Sequence, residues 1–397
     1  MSRQRKANTK ATPKQDPART FSAASTSPAS GRSTTRVTWN TPLFYAIILS
    51  LGFSLYQFWQ GQSAARAYQE ECGVRLEVPS APGFNEAVIS QLGWRPPKLS
   101  EERLFEVVDL PGRGKGIVAL QDIEMGSLIL HESPVLVVPR SLNVDPVSFV
   151  AHQISTLSEA EREAFYGLSY VPADAPDVSP AIISTNAVAV GNGGIGVFPT
   201  MARLNHGCAG AFNVVYSFRE ATGEIVVHAL RNITKGEELL TTYTDTKRPR
   251  HERQAYLSSQ YGFECSCAVC SLPPSQSEHS DKQLTKMSTL YGELAAWGAA
   301  ELSGSQALRL VRAIWALGEQ EGYHSERGQL AADAVTVAPS HSDGEAAREW
   351  AAEAMRWFAV ELGEEHPRVR EMQKVFVCPK RSGVWGTRQT ERVGGVH

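Results

Sequence analysis

Three closely spaced cysteines are the clearest candidates for chemistry in this chain. Cys265, Cys267 and Cys270 follow the pattern C-x-C-x-x-C in a polar setting. This spacing is typical of thiolates that bind zinc, and a closed structural zinc site needs four nitrogen or sulfur ligands. We predict Cys208 as the fourth ligand, with His206 as the competing one. The alternative is one disulfide and one free thiol.

The segment that contains Cys208 is a second candidate site. Asn205-His206-Gly207-Cys208 lies between an apolar run and an alternating strand. Polar and reactive side chains at such a place predict a functional site. The simpler alternative is a buried histidine beside an inert cysteine, because free cysteine is often a core residue.

A glycine-rich corner is the third candidate. Gly112-Arg113-Gly114-Lys115-Gly116 separates two short predicted strands, at 104–110 and 117–120, so we expect a hairpin. Glycines let backbone amides approach a ligand closely, which suits a nucleotide-like cofactor. The spacing is one residue short of the dinucleotide fingerprint and no clear helix follows, which disfavours a nucleotide-dependent oxidoreductase. An ordinary tight turn is the alternative.

Four motifs, taken in order, resemble those of the SET-domain lysine methyltransferases. They are Gly112-Arg113-Gly114-Lys115-Gly116, Asn205-His206-x-Cys208, Gly236-Glu237-Glu238-Leu239-x-x-x-Tyr243 and Tyr261-x-Phe263-x-Cys265-x-Cys267-x-x-Cys270. The chain is most similar to a fungal group related to the MYND-containing branch, here without the MYND finger. The resemblance covers about residues 101–272. It implies an α+β chain with a mainly-β SET fold, a pseudoknot-like core and a zinc-binding post-SET segment.

The resemblance also implies a role for each motif residue. Tyr243 and Tyr261 are expected to be catalytic, at the methyl-transfer point and in the wall of the lysine channel respectively, and Phe263 to stack on the adenine. The residues expected to hold S-adenosylmethionine are Gly112, Arg113, Gly114, Lys115, Gly116, Asn205, His206, Tyr243 and Phe263. Cys208, Cys265, Cys267 and Cys270 are expected to bind zinc. The implied activity is methyl transfer from S-adenosylmethionine to a lysine of a protein substrate.

Two departures from the family pattern keep an alternative function open. Gly207 replaces the usual serine, and the usual Cys-x-Pro-Asn is replaced by the longer stretch from Cys208 to Asn213. A catalytically silent SET fold that acts as a zinc-stabilised interaction module is therefore the alternative. The presence of Tyr243 and of Asn205-His206 favours the enzyme.

The elements that position these motifs are predicted from repeats and periodicity. Residues 119–130 resemble residues 229–240, which predicts two matched β-corners in one compact domain. Between them we expect a helical insert, with helices near 145–153 and 158–165, the second with a capping box. After the SET and post-SET region, 101–272, helical patterns at 282–297, 306–320, 344–362 and 366–375 predict an all-helical module over 273–379. We expect residues 380–397 to be a disordered tail.

The N-terminal region predicts a membrane anchor. Residues 1–40 are rich in small and basic residues and predict a disordered basic tail. Residues 41–60 lie in an uncharged stretch, and a transmembrane helix needs about 17–25 apolar residues. Basic residues before this stretch place the N-terminus in the cytosol of a single-pass protein of the endoplasmic reticulum or secretory pathway. A cleaved signal ending near Ala65 and, less favoured, a mitochondrial presequence are the alternatives. Residues 61–100 are expected to be a connector.

Composition limits the remaining possibilities. A chain of 397 residues, 42% of them hydrophobic, is sufficient for a sizeable core. A net charge of -3 gives no reason to expect direct nucleic-acid binding, and we expect a monomer. Six cysteines are too few for a disulfide framework. Four of them are the predicted zinc ligands, and the other two, Cys72 and Cys378, are either joined by a disulfide or free. Asn232-Ile233-Thr234 is a glycosylation sequon.

Overall fold

Ten strands and nine α-helices are present in the part of the chain that the computed structural model describes. This part comprises residues 72, 92–97, 99–100, 102–172 and 175–397. The predicted basic tail, the predicted membrane span at 41–60 and most of the connector lie outside it. Among the described residues, none of the helices is long and apolar enough to span a bilayer.

The strands form four small sheets, as the SET resemblance implies. The strands are β1 (Phe105–Leu110), β2 (Gly114–Ala119), β3 (Leu128–Glu132), β4 (Leu136–Val138), β5 (Val188–Ala189), β6 (Ile195–Val197), β7 (Asn205–His206), β8 (Val214–Arg219), β9 (Glu224–Ala229) and β10 (Leu240–Thr241). Strand order is β1-β2, β3-β9-β8, β4-β6-β5 and β10-β7. Only the β10-β7 pair is parallel among the described strands.

The glycine-rich corner forms the predicted hairpin. Strands β1 and β2 are antiparallel, with Leu110 opposite Gly114, and the Arg113 amide donates to the Leu110 carbonyl at 3.0 Å. Gly112 has a φ of 75°, a left-handed conformation that side chains disfavour. The corner is therefore a tight turn that brings Gly112 and Arg113 to the edge of the domain core.

The internal repeat forms a pair of facing corners related by an approximate two-fold. The Ile123 and Ile233 amides each donate to the other's carbonyl, at 2.8 and 2.9 Å. The Asn232 side chain accepts from the Met125 amide at 2.9 Å, and the equivalent Asp122 side chain accepts from the Lys235 amide at 2.8 Å. The predicted pair of matched β-corners is thus confirmed, and each corner satisfies the backbone of the other.

The parallel pair β7-β10 lies at the centre of this β domain. Asn205 is in register with Leu240, and His206 with Thr241. On the other side of β10, the Asn213 amide donates to the Leu240 carbonyl at 2.9 Å, and the Asn213 side chain accepts from the Leu240 amide at 2.8 Å. Three chain segments therefore converge here, at the place where the resemblance implies a pseudoknot-like core.

The helices fall into an insert and a C-terminal group. They are α1 (Pro146–Thr156), α2 (Glu159–Tyr166), α3 (Ser179–Asn186), α4 (Arg250–Tyr261), α5 (Pro274–Ala295), α6 (Gly304–Gln320), α7 (Arg327–Ser340), α8 (Gly344–Leu362) and α9 (Pro367–Val377). Helices α1 to α3 form the insert, α4 follows β10, and α5 to α9 form the C-terminal helical group. The first two insert helices are confirmed. Asp145 caps α1, and Ser158 with Glu161 forms the predicted capping box on α2.

Helix α7 was not predicted from the sequence, and burial explains why. Its residues pack against α6 and α8 on nearly every side, so it has no polar face to give a helical stripe.

Residues 380–397 also differ from the predicted disordered tail. Val393 is buried, its amide donates to Asp343 at 2.9 Å, and Glu391 accepts from the first amide of α6, that of Gly304, at 3.1 Å. Specific hydrogen bonds, rather than an apolar period, hold this segment in place.

A disulfide joins Cys72 to Cys378 at the end of α9, with 4.9 Å between the Cα atoms. Leu92 of the connector packs nearby against Met355. Of the two possibilities that the sequence left open for this cysteine pair, the structure contains the bonded one.

Candidate functional site

A cavity of about 200 Å³ lies between the glycine-rich corner, β7 and the segment after α4. Its lining residues are Gly112, Arg113, Asn205, His206, Tyr243, Phe263, Glu264, Cys265, Ser266 and Cys267. Six of the nine predicted cofactor-binding residues are among them. The structure therefore brings together residues that are up to 151 positions apart in the chain, from Gly112 to Phe263.

Two of the other three predicted cofactor residues, Lys115 and Gly116, lie close to the Asn205 side chain. The Lys115 ammonium pairs with Asp109 at 3.1 Å, while the Lys115 carbonyl accepts from the Asn205 side chain at 3.3 Å. A Cβ at Gly116 would lie 2.9 Å from the same Asn205 nitrogen. Neither these two residues nor Gly114 is in the cavity lining.

Glu238 links two residues of the lining. The Asn205 amide nitrogen donates to Glu238 Oε1 at 2.9 Å, and Arg113 forms an ion pair with Glu238 Oε2. The Glu238 side chain is only 15% exposed, whereas that of Arg113 is 36% exposed, so the Asn205 contact is the more buried of the two. The sequence motif contained Glu238, but only the fold shows what its carboxylate binds.

His206 connects the cavity to the cysteines. Its Nδ1 accepts from the Tyr243 amide at 3.0 Å, so the ring proton lies on Nε2, which is 3.1 Å from Cys208 Sγ. Burial lowers the pKa of His206 to about 4, which keeps the imidazole neutral at pH 7. His206 is thus a donor to the cysteine sulfur while it supports the backbone at Tyr243.

A second cavity, of about 290 Å³, adjoins the first at Tyr243. Tyr243 is the one residue that lines both cavities. Tyr261 and Tyr216 line the second cavity, and the Tyr261 ring centroid lies 4.9 Å from that of Tyr243. The remaining lining comes from the end of α3 through β5, from the Met201–Leu204 turn and from Thr241 and Thr242. This cavity is aromatic at the Tyr243 end.

The Tyr243 hydroxyl is fixed in a protonated state. It donates to the Leu204 carbonyl at 2.7 Å. Burial, with a smaller effect of the nearby Tyr261, raises the pKa of Tyr243 above its ordinary value. At neutral pH the phenol therefore keeps its proton and cannot act as a base, but its oxygen lone pairs remain available as acceptors.

The four predicted metal ligands form one buried cluster. The sulfurs of Cys208, Cys265, Cys267 and Cys270 all lie within 4.8 Å of one another, and none is in a disulfide. Zn–S bonds of about 2.3 Å in a tetrahedron place sulfurs roughly 3.8 Å apart. Cys208 and Cys270 sulfurs are 3.6 Å apart, so the arrangement fits a tetrahedral zinc ion. The alternative of a disulfide plus a free thiol is wrong for this structure.

Comparison with known proteins gives the family of this region. The SET domain family model matches residues 114–244. Residues 114–244 are a SET domain. The chain is 31% identical over 172 residues to histone-lysine N-methyltransferase set5 of Schizosaccharomyces pombe, which is 43% of this chain and 52% of that protein. It is 38% identical over 77 residues to histone-lysine N-methyltransferase ATXR2 of Arabidopsis thaliana, 19% of this chain and 16% of that protein.

The matched region spans about half the length of the first of these relatives and less of the second. Among solved structures, the SET domain of LSMT bound to lysine and AdoHcy is 13% identical. That match covers 73% of this chain and 89% of the other, with a TM-score of 0.31.

The two departures within the SET domain have a common structural cause. A Cβ at Gly207 would lie 2.9 Å from the Phe212 amide nitrogen, because the turn after Cys208 folds back over Gly207. A Cβ at Gly210, at the tip of the same turn, would lie 2.3 Å from the Glu321 carbonyl oxygen at the end of α6. The altered turn therefore needs glycine at position 207 in order to fold back on itself, and at position 210 in order to pack against the end of α6.

Three residues near the SET-domain site were missed at the sequence level. Tyr216 is one aromatic residue in an alternating strand, which gives no signal. Arg253 lies in a basic helix where several arginines look alike. Of the three, only Glu238 could have been recognised from the sequence, since it stands in the Gly-Glu-Glu-Leu motif.

Proposed function

We propose that this chain transfers a methyl group from S-adenosylmethionine to the side chain of a protein lysine. One observation supports this most directly: Tyr243 stands in the wall shared by two cavities, so a ligand in one can meet a ligand in the other at its hydroxyl. The similarity to relatives named histone-lysine N-methyltransferase points to the same chemistry.

The first cavity has the residue types that this cofactor needs. Phe263 offers a flat face for the adenine, while Asn205 and the backbone of the glycine-rich corner offer polar groups. His206, fixed by Tyr243 and Cys208, provides a neutral wall. When bound, S-adenosylmethionine supplies a methyl group on a positively charged sulfur.

The second cavity suits a lysine side chain that must lose its proton. A free lysine amine has a pKa of about 10.4 and is mostly charged at neutral pH. Desolvation in this cavity, beside the Tyr243, Tyr261 and Tyr216 side chains that line it, favours the neutral amine, which is the nucleophile. The Tyr243 hydroxyl donates its hydrogen to the Leu204 carbonyl. Its oxygen can therefore accept a hydrogen bond from the lysine amine and fix the orientation of that amine.

We propose zinc as the ion held by Cys208, Cys265, Cys267 and Cys270. Four sulfur ligands leave no open coordination position, so the role of the ion is structural. It would fasten the segment that carries Phe263 to the turn after His206. Both residues line the cofactor cavity.

The test of the activity is methyl transfer from labelled S-adenosylmethionine to a broad panel of proteins by the full chain. We expect Tyr243→Phe to reduce transfer at least about 100-fold, because a misplaced amine is a poor nucleophile, while cofactor affinity is retained. Tyr170→Phe, at an exposed tyrosine, is the matched control. Cofactor binding without any Tyr243-dependent product would instead support the silent interaction module.

We also propose that the folded part lies in the lumen of the secretory pathway, on a single-pass protein whose N-terminus is cytosolic. The Cys72–Cys378 disulfide supports this, since such bonds persist in oxidising compartments. Asn232 of the sequon is exposed, and its side-chain oxygen accepts from the Met125 amide. Trapping thiols in cells should find Cys72 and Cys378 blocked from alkylation; both thiols free would contradict the proposal.

A further inference from the structure

Lys247 contacts the helical group through an ammonium that is almost enclosed. Its side chain is 12% exposed, and three acceptors surround its three hydrogens. Nζ lies 3.0 Å from Glu326 Oε1, 3.2 Å from the Tyr323 hydroxyl and 3.3 Å from Asp245 Oδ1. The rings of Tyr323 and Tyr291 also face the ammonium, with centroids 5.1 and 5.8 Å from Nζ. A lysine enclosed in this way holds its neighbours at fixed distances.

Lys247 lies on the segment that joins Tyr243 to helix α4. Tyr243 stands four residues before it, just after β10. Tyr261 is the last residue of α4, and both tyrosines line the second cavity. Lys247 itself lines neither cavity. Any effect of Lys247 on a bound lysine must therefore pass through the positions of these two tyrosines.

Local hydrogen bonds make the segment between Tyr243 and Lys247 compact. The Thr242 hydroxyl donates to the Thr244 carbonyl at 2.6 Å, and the Lys247 amide donates to Asp245 Oδ1 at 3.0 Å. Bonds from short polar side chains to nearby backbone groups are of the kind that fix tight turns. A shift at Lys247 is therefore passed on to Tyr243 rather than absorbed between them.

Glu326, which pairs with Lys247, is held in a conformation that glutamate rarely adopts. Its φ is 67°, in the left-handed region that favours glycine. Both of its carboxylate oxygens lie within 3.1 Å of the Lys247 ammonium. The next residue, Arg327, has its guanidinium over the rings of Trp315 and Trp357, 5.1 and 4.7 Å from their centroids. Strained backbone of this kind persists where its surroundings hold it, so the loop between α6 and α7 presents the carboxylate in a fixed position.

A second anchor attaches the same segment to the helical group at the start of α4. The Arg250 amide donates to both carboxylate oxygens of Asp281 on α5, at 2.9 Å. These bonds do not involve the Lys247 side chain. Loss of the ammonium is therefore expected to shift the segment rather than to unfold the protein.

We propose that Lys247 is a positioning residue for methyl transfer, because its ammonium holds the segment between Tyr243 and α4 against the carboxylate of Glu326. The inference rests on the proposed function and deepens it. Lys247 and Glu326 both lie outside residues 114–244, which the SET family model matches. The placement of Tyr243 then depends on the helical group as well as on the SET domain.

The competing explanation is an ordinary ion pair that only stabilises the folded protein. Under that explanation, removal of the ammonium lowers the free energy of unfolding, while the folded molecules transfer methyl groups at the wild-type rate. A positioning role instead lowers the kcat of the folded protein, because a small misplacement of reacting groups slows the reaction strongly.

The experiment measures kcat, the KM for S-adenosylmethionine and denaturant unfolding of the full-length chain. The acceptor is the protein of the panel that takes up most label from the wild type. Lys247→Met keeps the length of the side chain and removes its charge, and we expect kcat to fall about tenfold or more. The KM for S-adenosylmethionine should stay within about twofold of wild type, because other segments form most of the first cavity. Lys282→Met is the matched control, since it breaks an exposed lysine–glutamate pair on α5 and should leave kcat unchanged.

Two substitutions at Glu326 test the partner of Lys247. Glu326→Gln should also lower kcat. The double variant with Lys247→Met should stay within about twofold of the slower single variant, because both changes remove the same interaction. Glu326→Gly removes the carboxylate but suits the left-handed backbone. It should therefore be as slow as Glu326→Gln, yet unfold at no lower denaturant concentration.

The outcomes separate this inference from the proposed function. A wild type that methylates no protein of the panel would overturn both. With an active wild type, the inference alone is overturned if Lys247→Met keeps the kcat of Lys282→Met, or if the losses in the double variant are additive. If Lys247→Met does not fold, Glu326→Gly decides: a low kcat in the folded protein supports the positioning role, and a wild-type kcat refutes it.

Discussion

Glu238 shows how the cofactor cavity depends on a carboxylate that does not line it. One of its oxygens accepts from Asn205 and the other pairs with Arg113. In Glu238→Gln the amide can accept from only one of these two donors and presents its own donor to the other. Hydrogen bonds to charged groups contribute about 1.5–3 kcal/mol, so we expect affinity for S-adenosylmethionine to fall about tenfold or more.

Calorimetric titration of the full chain with S-adenosylmethionine measures this effect. Glu106→Gln, at an exposed position on β1, is the control and should leave the affinity unchanged. Equal affinities for the two variants would mean that Glu238 does not organise the cavity.

At the residue scale, the sequence predicted which residues come together at the site but not the hydrogen bonds that fix their positions. Asn205, His206, Tyr243 and Phe263 could be placed because each stands in a motif with a known order. The Tyr243 hydrogen bond to the Leu204 carbonyl depends on the backbone path between two distant segments. No pattern of side chains contains that information.

The turn from Cys208 to Asn213 is the element on which most of the site depends. Asn213 at its end is fully buried. Its side chain accepts from the Leu240 amide at 2.8 Å and donates to the Glu238 carbonyl at 2.9 Å. It therefore fixes β10, just before Tyr243, to the end of this turn on the side of β10 away from β7. The sequence left open whether Asn213 could serve in the altered turn, and the structure gives it this structural role.

Asn213→Ala is expected to lower the free energy of unfolding by about 2–4 kcal/mol. The substitution leaves a buried amide and a buried carbonyl without partners, and each unpaired group costs about 1–3 kcal/mol. Denaturant unfolding measures the change. Asn143→Ala, at an exposed position, should stay within about 0.5 kcal/mol of wild type. A loss at Asn213 as small as that at Asn143 would contradict the role given to its side chain.

Helices were predicted correctly where an apolar stripe marks the buried face, and one was missed where nearly all of its faces are buried. Helices α6 and α8 each have an apolar stripe and were located from it. Helix α7 is enclosed by its neighbours, so its sequence has no alternation between polar and apolar faces. The two β-corners were predicted from the sequence repeat for a different reason. Their Asx–Ile turns are local structures with their own hydrogen-bond chemistry.

At the scale of the whole molecule, the helical group contacts the SET domain close to β10 and Tyr243. Lys247, four residues after Tyr243, is 12% exposed and lies 3.0 Å from Glu326 and 3.2 Å from the Tyr323 hydroxyl. The Tyr323 ring packs edge-on against Phe212, with centroids 5.6 Å apart. The loop between α6 and α7 therefore contacts both the altered turn and the segment that follows Tyr243.

Gly210 is the position where this contact is closest, and Gly210→Ala is our prediction for the whole molecule. The new Cβ would lie 2.3 Å from the Glu321 carbonyl oxygen, and because that atom is backbone, one of the two segments must move. We expect a loss of about 1–3 kcal/mol in the free energy of unfolding, as for other overpacked sites. Limited proteolysis should then cleave faster in the loop between α6 and α7.

The matched control is the same substitution at Gly292, within α5, where a Cβ would meet nothing within 4 Å. Alanine in a helix is about 0.5–1 kcal/mol more favourable than glycine, so Gly292→Ala should stabilise the protein. The two substitutions are chemically identical and are predicted to have opposite signs in denaturant unfolding. If both stabilise, the turn can move away from α6 at no cost, and packing by the helical group does not explain why this SET domain lacks the usual Cys-x-Pro-Asn.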